Sequence, residues 1–72
     1  TLMPCYLCAG AVVQFGIPRV IAGESQNFTG ARAFMEEHGI EVVDLGDAGC
    51  IRMMAEFIER NPRLWNEDIG KL

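Results

Sequence analysis

Positive charge is scarce in this chain: six Lys+Arg stand against ten Asp+Glu in 72 residues, a net charge of −4. A domain that grips a phosphate backbone needs clustered Lys and Arg, so this balance argues against nucleic acid and favours a small uncharged ligand. Long apolar runs are missing too. Half of the residues are hydrophobic, yet no run nears the roughly 20 residues of a membrane-crossing helix, and Thr1 does not open a charged-then-apolar secretion signal. No membrane partner is expected. Histidine is limited to His38. Cysteines number three, which excludes a fully paired disulfide framework and favours a reducing compartment, the cytoplasm. The length leaves room for one domain at most and allows burial of only about 60% of the unfolded surface, so a staple or a partner is expected. Beginning at Thr1 rather than Met, the chain reads as a portion of something longer.

What is present starts with Pro4-Cys5-Tyr6-Leu7-Cys8. Thiols three apart on the first turn of a helix point the same way, and the positive end of the helix dipole favours their anionic, metal-binding form. Zinc takes four ligands, so Cys5 and Cys8 are half of a Zn2+ site. An inert buried pair, a structural zinc knuckle and a redox dithiol are the alternatives. A knuckle brings a second closely spaced Cys/His pair, which Cys50 and His38 do not form, and a redox dithiol leaves the later helices unexplained. Catalytic zinc is the favoured reading. Cys50, among Ile51, Met53 and Met54, reads as a small buried hydrophobe. His38, at a helix end before Gly39, reads as a surface cap.

Phe28 and Trp65 are by default core aromatics, and Met35, Met53 and Met54 core fillers. Trp65-Asn66-Glu67-Asp68 nevertheless puts an aromatic plate and a carboxylate three apart on one turn, as a lid over a polar aromatic ligand needs. From the residues alone, however, a plain solvated helix charge is the better reading of Asp68, because charges near chain ends are usually solvated.

The spacing predicts a helix over Cys5 to Phe15, apolar nearly all round and therefore interior, buried against a sheet or against another subunit. A strand buried on both faces follows over Pro18 to Gly23, then a loop over Glu24 to Gly30 with Phe28 its one bulky residue. A short helix over Ala31 to His38 ends at Gly39, a second strand covers Ile40 to Leu45, and Ile51, Met53, Met54, Phe57 and Ile58 mark a helix that stops at Asn61-Pro62. A last helical stretch covers Arg63 to Ile69. Helix, strand, helix, strand, helix, helix with short links implies an α/β fold with parallel strands.

Taken together, Thr1-Leu2-Met3-Pro4-Cys5-Tyr6-Leu7-Cys8-Ala9-Gly10-Ala11, Gly16-Ile17-Pro18-Arg19, Gly23-Glu24, Asn27-Phe28 and Trp65-Asn66-Glu67-Asp68-Ile69-Gly70 resemble the C-terminal half of the zinc-dependent cytidine/deoxycytidylate deaminase superfamily, in particular its fungal cytosine deaminase branch. The resemblance implies a three-layer α/β/α cytidine deaminase-like fold, with residues 1–72 forming the C-terminal portion of one domain and the His-x-Glu motif of that family lying before Thr1. It implies hydrolytic deamination of a free nucleobase, cytosine to uracil, with water activated by zinc. Cys5 and Cys8 would be metal ligands, completed by an upstream histidine, and the proton-shuttling glutamate would also lie upstream. Leu2, Met3, Phe28, Trp65 and Asp68 would form the substrate pocket, Asp68 meeting the exocyclic amine. A homodimer is implied as well. Met3 replaces a serine of that branch and Asn66 a phenylalanine, changes that bear on substrate identity. Alternatives are a guanine, nucleoside or tRNA adenosine deaminase of the superfamily, or a non-catalytic interaction module without the His-x-Glu half.

Overall fold

Proline suits the first turn of a helix, where a missing N–H is no loss, but in the computed structural model, which describes residues 1–70, Pro4 lies just before the first helix, with Cys5 as its extended N-cap and Tyr6 its first residue. The elements are α1 (Tyr6–Gln14), β1 (Arg19–Ala22), α2 (Arg32–Glu37), β2 (Glu41–Asp44), α3 (Ala48–Arg60) and α4 (Pro62–Asp68). Their order and kind match the expectation, with ends moved by a residue or two. Strands β1 and β2 pair in parallel, Arg19 opposite Glu41 through Ala22 opposite Asp44. The chain start adds to this layer: Leu2 forms a parallel bridge with Glu24, with Glu24 N–H donating to Thr1 O at 2.9 Å and Met3 N–H to Glu24 O at 3.1 Å. The architecture is thus mixed helix and strand with a parallel pair at its centre.

The segment between the strands explains that pairing. Parallel neighbours need a crossover, and α2 supplies it, closing at Gly39 with φ 82° in the left-handed region open to glycine. Met35 of α2 is fully buried with Met3, Ala9, Ala22, Ala31, Ile40 and Val42, and Val12, Val13, Val20 and Phe34 pack around them. Met35→Ala in the full-length protein is expected to cost about 2–5 kcal/mol, read from urea or thermal unfolding.

Asp47 caps α3, its carboxylate accepting from Cys50 N–H at 2.9 Å, and that amide holds its carboxyl below the usual range. The Ser25 hydroxyl, which donates to Asp44, and the Gly46 amide do the same for Asp44. Folded-state values below unfolded ones mean that this stabilisation is complete at neutral pH and disappears as pH falls through the depressed range.

Among the described residues, three surfaces expected to be covered stand open. Helix α1 is not interior among the described residues: only Ala9 is buried, while Tyr6, Leu7 and Phe15 are 69, 84 and 77% exposed. Strand β1 buries one side rather than two, with Ala22 inside and Ile21 outside. Met53 is exposed and α3 has no fully buried residue. The cause is shared. Apolar patterning marks a surface that leaves water, but a partner layer must cover it, and the described residues supply one sheet pair and few helices. Among these residues no helix is long and apolar enough to cross a membrane.

Candidate functional site

Three stretches far apart in sequence meet at the start of α1. A pocket of about 220 Å³ is lined by Leu2, Met3, Pro4, Cys5, Cys8, Phe28, Trp65, Asp68 and Ile69. Every site residue named from the sequence lies on it, and Pro4 and Ile69 join them. Ile69 was legible in principle, since it stands four after Trp65 and so shares a helical face with it.

Each wall has a local cause. The bridge between Leu2 and Glu24 leads the chain straight into Pro4 and the first turn of α1, so Cys5 and Cys8 open onto the end of the strand layer. Here Cys5 is half-buried and Cys8 exposed. On the opposite side Pro62 starts α4, which turns Trp65 inward to 9% exposure while Asp68, one turn later, stays open to water. Phe28 stands against Trp65 edge to face, ring centroids 5.8 Å apart at 85°, the geometry that the ring quadrupoles favour. Met3 is buried at 1% exposure. Asn66 is half-buried and does not line the pocket, so of the two positions tied to substrate identity only Met3 is at the wall.

Electrostatics separate the two thiols. No amide makes a regular capping hydrogen bond to the Cys5 sulfur; the Cys8 N–H nevertheless faces it, and this dipole, with smaller help from Leu7 N–H and the Cys8 thiol, holds Cys5 below the ordinary thiol value. Cys8 moves the other way, because its thiol donates toward Cys5 and then faces that charge. The pair therefore titrates as a unit in which Cys5 ionises first. The Asp68 carboxylate raises both thiols slightly, which places a negative group within electrostatic reach of the two sulfurs.

The donor set fits half of a zinc site. Two sulfurs on one helical turn suit tetrahedral thiolate coordination, and among the described residues no group of three or more His, Cys, Asp or Glu comes together to hold an ion. His38 stands apart at the end of α2, its Nδ1 2.8 Å from Phe34 O and its ring 4.5 Å from the Phe34 centroid, the cap geometry read from the sequence. Cys50 is also elsewhere, half-buried with its sulfur over Gly23.

Comparison with known proteins fits this arrangement. No family model matches the chain. The cytosine deaminase of Candida albicans (strain SC5314 / ATCC MYA-2876) is 49% identical over 71 residues, which make up 99% of this chain and 47% of that protein. The chain thus spans about half the length of the curated relative it matches. The likeness first carried by Pro-Cys-x-x-Cys and the Trp-x-Glu-Asp-Ile-Gly ending extends over nearly all its residues: the chain is similar to the C-terminal part of a fungal cytosine deaminase.

Proposed function

We propose that this chain forms the zinc-binding and lid portion of a deaminase that hydrolyses a free nucleobase, cytosine to uracil, releasing ammonia. The observation that carries this reading is the meeting of two thiols, an aromatic pair and a carboxylate on one pocket. Cys5 and Cys8 would hold the ion, with a histidine of a preceding His-x-Glu half completing the set and its glutamate moving the protons. A zinc ion bound there makes a water nucleophilic near neutral pH, which the amine-bearing carbon of an aminopyrimidine requires.

The chain's own groups do the rest. Phe28 and Trp65 offer a face and an edge to a flat ring, and a pocket below the roughly 300 Å³ of drug-sized sites suits a single ring. Asp68, open to water at the rim, accepts hydrogen bonds from an exocyclic amine, which separates cytosine from its deaminated product. Leu2 and Met3 keep the opposite wall apolar. The finer architecture of this proposal is the three-layer α/β/α cytidine deaminase-like fold, and its compartment is the cytoplasm, where unpaired cysteines persist. A homodimer belongs to it too, supported by the exposed apolar side chains of α1.

Zinc content per full-length subunit, followed by ammonia release from cytosine, cytidine, guanine and a tRNA anticodon stem, tests the proposal. Zinc with turnover of free cytosine is the expected result, and a preference for any other substrate of the panel moves the assignment to that class. Asp68→Ala is expected to slow cytosine turnover about 10–100-fold, the loss of one hydrogen bond to a charged group, with zinc retained. Unchanged kinetics would return Asp68 to a solvated charge.

A further inference from the structure

Glu24 is completely buried, and the proposed chemistry does not use it. Among the described residues no Lys, Arg or His forms an ion pair with it. Its side chain is instead held by Asn27: the Asn27 backbone N–H donates to Oε2 at 3.0 Å and the Asn27 Nδ2 to Oε1 at 3.2 Å. The same Nδ2 donates to Ile51 O of α3 at 2.9 Å. Asn27 is thereby fixed from two sides, and the next residue is Phe28. The backbone of Glu24 meanwhile carries the bridge to Leu2 and the bonds to Thr1 and Met3. One residue therefore ties the Leu2–Met3 wall of the pocket to the Phe28 wall.

Stability alone does not call for such a residue. A carboxyl group removed from water costs free energy that hydrogen bonds only offset, and an apolar side chain of similar volume serves a core as well or better. What a fully bonded polar group adds is a fixed geometry. We propose that Glu24, acting through Asn27, is the positioning residue that holds the Phe28 ring against Trp65 and so sets the width of the ligand pocket. The inference rests on reading that pocket as the base-binding site.

The test uses full-length zinc-loaded protein with Asn27→Ala and Glu24→Gln, and Phe28→Ala as a reference. Each of the first two variants is expected to raise KM for cytosine about tenfold while kcat stays within about threefold, as loss of one hydrogen-bonded support predicts. Zinc per subunit should be unchanged. Trp65 emission, isolated by subtracting the signal of Trp65→Phe protein, should shift to the red in the direction seen for Phe28→Ala. An unchanged KM or an unshifted emission overturns the proposal, whatever happens to thermal stability. Should Glu24→Gln fail to fold, Asn27→Ala decides, because Asn27 is only half-buried. If the wild-type protein deaminates no base, the functional reading fails, and the emission shift still judges the positioning role by itself.

Discussion

On the proposed function, alanine at Cys5 or at Cys8 in the full-length protein is expected to empty the proposed zinc site and to lower turnover about a thousandfold or more, well beyond the roughly 10–100-fold that follows loss of an outer partner of a metal ligand. The physical reason is the small donor set. Cys5 caps the start of α1, Cys8 lies in its first turn, and both line the same pocket; among the described residues no group of three or more His, Cys, Asp or Glu comes together to hold an ion. With one sulfur gone, no other cysteine or histidine of the described residues stands in its place. Cys50 packs over Gly23 and His38 caps α2, so neither can move in without undoing its own element. The measurement is elemental analysis of the purified variants beside an ammonia-release assay. Full zinc content or near-wild-type turnover in either variant would defeat the assignment of both cysteines. Cys50→Ala is the matched control, expected to keep metal and activity.

A second large effect is expected where the sequence shows only a small residue in a loop. Gly30 has φ 68°, and a Cβ built on it would stand 2.7 Å from Pro4 O and 2.7 Å from Met3 Cγ. The carbonyl cannot give way freely, because it already accepts from Ala31 N–H at 2.9 Å, and Met3 is buried in the core. Gly30→Ala is therefore expected to cost about 2–5 kcal/mol, combining a left-handed backbone with an overpacked contact. Unfolding midpoints in urea report that cost. Since Pro4 and Met3 also line the pocket, KM for cytosine, the proposed substrate, should rise in whatever fraction remains folded. An unfolding midpoint equal to wild type would show that the loop carries no such constraint.

These two sites differ in how far the sequence exposes them. Cys5 and Cys8 are legible because a spacing of three across a helix start brings both to the same side, where both line the pocket. For Trp65 and Asp68 the spacing of three shows only that they share a turn of α4; as site residues they are suggested by the family resemblance. The alternation of helix and strand is legible from apolar periodicity punctuated by Gly16, Gly39 and Pro62, and the structure places each element within a residue or two of that reading. Gly30 is not legible, because its constraint comes from Pro4 and Met3, which lie more than twenty residues earlier. Glu24 is hidden for a related reason: in a loop with Ser25, Gln26 and Asn27 a glutamate looks solvated, and only the bridge to Leu2 and the contact with α3 remove it from water.

Periodicity also misjudges depth. Val20-Ile21-Ala22 is an apolar run suited to a strand covered on both faces, yet Ile21 is 59% exposed, and Leu7 on α1 is 84% exposed. An apolar side chain records that a surface is built to leave water, whereas burial is a property of two surfaces.

The amino-acid order by itself determined the thiol pair and its placement at a helix start, the succession of elements, and the spacing of Trp65 and Asp68, all of which act within a turn or two of chain. Tertiary structure alone decided that Leu2, Phe28 and Trp65 line one pocket, that Glu24 bridges to Leu2 while its side chain holds Asn27, and that a methyl group at Gly30 has no room. Those relations depend on distances between segments remote along the chain, and such distances are set only when the strand layer and α4 close around the start of α1.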